Sequence, residues 1–291
     1  MPARLSRRMF LRSLIGASGV AVAAGLASEA LGEPHQIRVR RISVPLPTLP
    51  DALDGLTIGQ LSDLHRGPYV SEEHIRRAAE IVASLQPDVM VLTGDFVSVS
   101  AQYTASCMDA LAGLRARHGL FAVLGNHDYW TGEVRVVQRA IERQGVEVLV
   151  NRSVRLHHGG TDWWLCGVDD VWSGQPDLEA TLSRVPDKDF RLLLCHEPDF
   201  ADTASREGIP LQLSGHTHGG QVIVPGIGPI VLPPYGRKYP IGLRRVQGSG
   251  TLVYTNVGVG LIAWELGPMA LVVRWNCPPE VTLLTLRRTQ A

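Results

Sequence analysis

An α/β fold is predicted for this 291-residue chain. Two observations carry the prediction: apolar runs of strand length alternate with helix-like stretches from about Ile37 onward, and turns rich in Gly, Asn, Asp and Pro separate them. A third is that helices thin out in the second half while strands continue. The first clear strand spans residues 56–61. Ser71 then offers a side-chain oxygen to the unpaired N–H groups of a helix start. Glu72 and Glu73 in the first turn suit the positive end of the helix dipole, and Ile75, Ala79, Val82 and Leu85 fall on one apolar face. Residues 89–92 form the next strand, followed by a helix over 105–115, a strand over 120–124, a helix over 133–144 and a strand over 146–150. Further strands are expected over 163–168, 191–195 and 211–213. Beyond a Gly/Pro-rich stretch, others are expected near 252–255, 270–275 and 281–286.

With 45% hydrophobic and 19% charged residues the chain can bury a full core, which excludes disorder. Its 28 basic and 28 acidic residues balance, so no global field draws it to nucleic acid or anionic lipid, and a charged ligand must be captured locally. A nuclease would want a basic groove or a stacking platform, so no nucleic acid is expected as a partner. No repeat or low-complexity linker interrupts residues 36–291, which are expected to form a single domain.

Residues 1–35 differ in character: Arg7-Arg8-Met9-Phe10-Leu11 precedes an uncharged run over 13–28 rich in Ala, Gly and Leu. Paired arginines followed by Phe-Leu resemble the twin-arginine (Tat) export signal, whose machinery moves folded proteins. The uncharged run is short for a membrane span. The chain is therefore expected to be a partner of the Tat translocation machinery. It is expected to work in the periplasm or elsewhere outside the cytoplasm, either released by cleavage or tethered at the membrane surface.

Residues able to do chemistry fall where strands are expected to end. Asp63 and His65 follow the first strand, Asp95 the second, and Asn126, His127 and Asp128 the third; His196 follows the 191–195 strand, and His216 and His218 follow 211–213. In open α/β sheets the carboxyl ends of strands line the ligand crevice, so these residues converge on one rim. Glycines beside them, such as Gly94, Gly125 and Gly215, permit sharp exits and close backbone approach. Imidazole, carboxylate and amide ligands together suit Mn, Fe or Zn, whereas a Ca site would be richer in oxygen. Two divalent ions would carry more positive charge than Asp63, Asp95 and one hydroxide supply in negative charge, which leaves room for an anion such as a phosphate ester. Cys107, Cys166, Cys195 and Cys277 lack any Cys-x-x-Cys pairing, so no thiolate zinc site is expected, and Cys166 and Cys195 are expected as buried free thiols. His35, His74, His118, His157 and His158 lack the strand-end context and are expected at the surface.

Taken in order, Asp63-x-His65, Gly94-Asp95, Gly125-Asn126-His127-Asp128, His196 and Gly215-His216-Thr217-His218 resemble the signature of the calcineurin-like metallophosphoesterases. Ser62-Asp-Leu-His65, His196-Glu-Pro-Asp199 and His216-Thr-His-Gly-Gly-Gln221 bring the likeness to the Tat-exported, YkuE-like branch. The resemblance implies a four-layer α/β/β/α sandwich of two mixed β-sheets flanked by helices. It further implies that Asp63, His65, Asp95 and His218 ligate one divalent ion and that Asp95, Asn126, His196 and His216 ligate another, with Asp95 as the bridge. His127 is implied as the catalytic histidine that steadies the transition state or protonates the leaving oxygen, and Asp128 as the residue that orients it.

The function so implied is binuclear, metal-dependent hydrolysis of phosphate mono- or diesters. The alternative is a non-catalytic, metal-bound envelope binding protein, which a damaged constellation would mark. The apolar run over 222–232, followed by Arg237, Lys238, Arg244 and Arg245, has two readings. One is an apolar wall with a basic rim for an amphiphilic phosphoester, lipid-linked or from the cell envelope; the other is an ordinary hairpin with solvated arginines. The stretch 260–266 departs from the familiar pattern and could alter substrate selection.

Overall fold

The computed structural model describes residues 36–266 and 269–289; the segment 1–35, expected to be an export signal, lies outside the described residues. The chain begins with β1 (Arg38–Leu46) and β2 (Thr57–Leu61). Helix α1 (Glu72–Ser84) starts where its cap predicts: Ser71 Oγ accepts from His74 N at 3.2 Å, and Ile75, Ala78, Ala79 and Val82 are buried. Then come β3 (Val89–Thr93), α2 (Thr104–Leu111), β4 (Leu120–Val123), the short α3 (Asn126–Trp130), α4 (Val134–Arg143) and β5 (Val146–Val148). The second half runs β6 (Arg152–His158), β7 (Thr161–Gly167), α5 (Leu178–Leu182), β8 (Arg191–Leu194), α6 (Ala201–Arg206) and β9 (Leu211–Ser214). A small hairpin of β10 (Ile223–Val224) and β11 (Gly228–Pro229) follows, then β12 (Gly242–Arg245), β13 (Leu252–Thr255), a second hairpin of β14 (Trp264–Leu266) and β15 (Met269–Leu271), and finally β16 (Glu280–Arg288).

The long strands form two six-stranded mixed sheets, in the orders β1-β16-β2-β3-β4-β5 and β12-β13-β9-β8-β7-β6. Strands β2 to β5 are parallel, as are β13, β9, β8 and β7, while β16 is antiparallel to β2, and β12 and β6 are antiparallel to their neighbours. Side chains alternate across a strand, and the core follows that period. Val89 and Val91 of β3 join Val123, Leu165, Leu194, Leu213 and Tyr254 in a core between the sheets. Met90 and Leu92 point the other way and pack with Val82, Met108, Val137 and Ile141 of the helices. On the far face of the second sheet, Cys166, Leu193 and Cys195 meet Leu178 and Ala204. The layers are therefore helix, sheet, sheet, helix, as the resemblance implied.

Some elements differ from expectation, for local reasons. The helix expected over 105–115 stops at Leu111, just before Gly113, whose backbone entropy disfavours helix. The strand expected over 270–275 shortens to β15, and Trp275 instead makes an isolated bridge to Val222. Strands β1 and β6 were not picked out because both are sheet edges with exposed polar positions; Pro45 is tolerated in β1 for the same reason. All four cysteines are free and buried. Among the described residues no helix is long and apolar enough to cross a membrane.

Candidate metal centre

Each expected ligand leaves the carboxyl end of a strand: Asp63 and His65 after β2, Asp95 after β3, Asn126 after β4, His196 after β8, and His216 and His218 after β9. Five of them, Asp63, His65, Asp95, His216 and His218, adopt positive φ between 47° and 73°. A left-handed backbone costs a non-glycine residue roughly 1–2 kcal/mol. Such strain persists only where the surroundings over-determine it, which is common at functional sites. The loops also interlock. Gly94 has φ +93°, and a Cβ there would sit 2.6 Å from His196 Nδ1. At Gly215 a Cβ would run into Ser62 Oγ and Asp63 Oδ2.

The ligand atoms converge in three overlapping groups, Asp63, His65 and His218 in one, Asp63, Asp95 and His196 in another, and His65, Asp95 and His127 in the third, each within 4.8 Å. In the first, His65 Nε2 lies 2.9 Å from His218 Nε2, and Asp63 Oδ1 lies 3.3 Å from His218 Nε2. Asp95 Oδ2 joins the groups, 3.4 Å from His65 Nε2 and 3.1 Å from His196 Nε2. The rings of His196 and His216 are 5.0 Å apart, and Asn126 shares the pocket lining with Asp95, His216 and His218. All seven residues are buried. Buried polar atoms are normally paired. Asn126 Oδ1 and His196 Nε2 nevertheless have no hydrogen-bond partner. An amide oxygen and an imidazole nitrogen without hydrogen-bond partners, among buried carboxylates and imidazoles, fit divalent cations.

Backbone carbonyls fix which imidazole nitrogen is free. A carbonyl only accepts, so His196 Nδ1, 2.6 Å from Thr93 O, carries a proton, and Nε2 is the nitrogen turned to Asp95 Oδ2. His216 donates from Nε2 to Pro234 O at 2.8 Å, which leaves its Nδ1. Ser98 Oγ donates to His65 O, so its lone pair receives His65 Nδ1–H at 3.2 Å and His65 Nε2 is free to ligate. Ligating histidines typically use their other nitrogen in this way.

Charge is arranged to match. Burial pushes His216 down to about 3 and holds His65 and His218 well below the usual imidazole range, so all three are neutral. Burial likewise pushes Asp63 up to about 6, against the pull of His196. Burial acts to raise Asp95, but His196 and His127 hold it well below the usual carboxylate range. His196 is the converse: burial opposes its charge, and Asp95 and Asp63 hold it well above. Two buried carboxylates thus draw positive charge inward.

His127 sits at the edge of the centre. Its N donates to Asp95 Oδ1 at 2.8 Å, and its Nδ1 donates to Ser98 O at 3.1 Å, leaving Nε2 to exchange a proton. Asp128 does not touch that ring. Its carboxylate accepts four backbone N–H groups instead, from Asp95 and Gly125 at 3.0 Å, Phe96 at 2.8 Å and Val97 at 3.3 Å. The expectation that Asp128 orients His127 is therefore corrected: Ser98 O holds the ring, and Asp128 ties the β3 and β4 exits together. Asp128→Asn puts N–H donors against N–H donors and is expected to cost about 2–4 kcal/mol. Urea unfolding measures it, and a wild-type midpoint would contradict the role.

Several contributors gave no clear signal in the sequence. Arg274 is wholly buried, places Nη2 3.3 Å from His218 Nδ1, and donates to the carbonyls of Val257 and Cys277. Its only cue was a lone arginine in the apolar run 271–275. Trp130 and Trp172 were missed altogether; they close a circuit of rings running His127, Trp130, Trp172, His216 at 4.5, 4.9 and 5.8 Å. His118 and His158 are half-buried rather than free at the surface, with Nε2 and Nδ1 2.9 Å apart, near Asp88. The basic rim also divides. Arg237 and Lys238 follow Gly236, which packs on His216, whereas Arg245 pairs with Leu252 at the start of β13, the end away from the centre.

Comparison with known proteins agrees with this geometry. The calcineurin-like phosphoesterase family profile matches residues 56–220. The uncharacterized metallophosphoesterase YkuE of Bacillus subtilis is 34% identical over 296 residues, covering 98% of this chain and 99% of that protein. The phosphodiesterase YaeI of Escherichia coli is 31% identical over 289 residues, covering 97% and 99%. A transmembrane protein with metallophosphoesterase domain from Danio rerio is 32% identical over 263 residues, 86% of this chain but 57% of that protein. Among solved structures, TT1561 of Thermus thermophilus aligns over 70% of this chain and 90% of its own, with TM-score 0.48 and 12% identity. With the profile covering more than half of the chain and two relatives above 30% identity along nearly its whole length, the chain belongs to the calcineurin-like phosphoesterase family and is a metal-dependent phosphoesterase.

Proposed function

We propose that the chain hydrolyses phosphate mono- or diesters outside the cytoplasm and works with two divalent ions, Mn, Fe or Zn. Asp63, His65, Asp95 and His218 would hold one ion, and Asp95, Asn126, His196 and His216 the other. The observation that carries this reading is the pair of unpartnered buried atoms, Asn126 Oδ1 and His196 Nε2, beside two buried carboxylates. Bound ions supply Lewis acidity toward the phosphoryl oxygens and lower the pKa of water.

The chain's own residues do the rest. Asn126 and His127 line the pocket beside Asp95, where the phosphate must lie. His127 Nε2 holds or gives the proton that the departing oxygen needs, with the ring held by Ser98 O. Trp130 and Trp172 line the same pocket. The paired arginines Arg7 and Arg8, ahead of an uncharged run, support passage of the folded protein through the Tat machinery. The phosphodiesterase name of the E. coli relative supports a diester among the substrates.

Exhaustive chelation, checked by elemental analysis, is expected to lower hydrolysis of bis-p-nitrophenyl phosphate by about 100-fold or more, with recovery on adding Mn, Fe or Zn. Hydrolysis that persists undiminished in metal-free protein would contradict the reading.

A further inference from the structure

The pocket over the candidate centre is two-sided. Its floor is polar, with Asp95, Asn126, His127, His216 and His218. Its remaining lining is largely apolar: Trp130 and Trp172, their rings 4.9 Å apart and edge to face, and Val231, Leu232, Pro233 and Ile262. The space between is about 310 Å³, far more than a phosphate group fills.

The apolar wall does not end at the pocket. Val231 is 55% exposed and continues into Ile230 at 58% and Ile227 at 80%, at the end of the β10–β11 hairpin. No charged residue occurs from Val222 to Pro234. The hairpin is nonetheless tied down. Gln221 Nε2 donates to Ile262 O at 2.9 Å, its Oε1 accepts from Ile262 N at 2.7 Å, and Ile223 N donates to Trp275 O at 3.0 Å. An ordered lip of large aliphatic side chains facing water is unfavourable unless something apolar covers it. Trp130 and Trp172, which line the same pocket as Val231, are 49% and 38% exposed, and Tyr235, just past the lip in sequence, is 46% exposed. Such rings suit the boundary between hydrocarbon and water.

Charge narrows the occupant. Lys238 is neutralised by Asp202, and Arg244 and Arg245 lie toward the far end of the sheet, so of the four basic residues only Arg237, exposed and next in sequence to Gly236, is left near the pocket without such a partner or placement. A polar floor that draws one anion, a long apolar wall and an uncharged lip complement a molecule with a phosphate at one end and a hydrocarbon chain at the other.

We propose that the wall formed by Leu232, Val231 and Ile262 is the subsite for the hydrocarbon part of an amphiphilic phosphoester, and that Ile227 and Ile230 dip into the bilayer surface from which that ester is drawn. The inference rests on the phosphoesterase reading above and names its substrate class.

The test compares esters that share one reacting group and differ only in the alkyl tail: methyl and dodecyl p-nitrophenyl phosphate, with methyl and dodecyl phosphate as the monoester pair. The dodecyl esters are presented in phosphatidylcholine vesicles. The wild type is expected to favour the dodecyl ester in kcat/KM by about tenfold or more, since the added methylenes leave water on binding. Leu232→Ser and the double variant Ile227→Ser/Ile230→Ser are each expected to reduce that dodecyl-to-methyl ratio by about tenfold. Equal turnover of the two tails, or a ratio that neither variant alters, overturns the subsite and leaves the phosphoesterase reading standing. No hydrolysis of any of the four esters by metal-loaded protein removes that reading and the subsite with it. A stable dimer that the double variant dissolves while the ratio stays fixed assigns the lip to a second copy of the chain and overturns the proposal.

Discussion

Asp95→Asn is expected to lower phosphoester hydrolysis by about 10³-fold or more, about 4 kcal/mol of transition-state stabilisation. The residue belongs to two of the three groups of ligand atoms, with Oδ2 3.4 Å from His65 Nε2 and 3.1 Å from His196 Nε2. Its charge holds His196 well above the usual imidazole range and is itself held well below the carboxylate range by His196 and His127. An amide keeps nearly the same shape, and its oxygen can still accept from His127 N, so the loop should keep its conformation. What the amide loses is the negative charge that the two proposed ions would share. Elemental analysis should therefore show metal falling together with activity, with an unchanged far-ultraviolet circular dichroism spectrum. Full activity at wild-type metal content would remove Asp95 from the centre.

His127→Ala is expected to separate what Asp95→Asn joins. The ring belongs to one ligand group, with His65 and Asp95, but is half-buried, hydrogen-bonded through Nδ1 to Ser98 O and packed at 4.5 Å on Trp130. Proton transfer by a positioned side chain contributes about 10²–10⁴-fold, so kcat should fall by that amount while bound metal stays near the wild-type level. The substrate dependence offers an internal control. An ester with a good leaving group, such as p-nitrophenolate, needs little protonation, whereas an alkoxide leaving group needs much. The loss should accordingly be larger for alkyl esters than for p-nitrophenyl esters. An equal loss for both would point to a binding role for His127, and loss of metal would make it a ligand.

Much of this centre was legible in the sequence because two independent signals coincide. Apolar runs locate the strands, and the residues just past them, Asp63, Asp95, Asn126, His196 and His216, share a rim by topology alone. The buried strands β3, β8 and β9 were easiest to find, since each buries both faces and reads as a continuous apolar run. Edge strands β1 and β6 were hard because half their positions face water. Other features have no side-chain signature. The carbonyls of Thr93, Ser98 and Pro234, which set the histidine tautomers, belong to the backbone and are found only once the chain is folded. Asp128 looked like a partner of its neighbour His127, yet adjacent residues on a helical turn diverge, and its carboxylate turns to the β3 and β4 exits. Trp130 and Trp172 lie 42 residues apart and meet only because α3 and the loop after β7 flank the same pocket.

The central claim is that Asp63, His65, Asp95, Asn126, His196, His216 and His218 hold two ions that share Asp95. Crystals of Mn-loaded protein measured across the manganese absorption edge test it most directly. The account predicts two anomalous peaks roughly 3.5–4 Å apart with Asp95 between them. A single peak, or peaks away from these seven side chains, would contradict it.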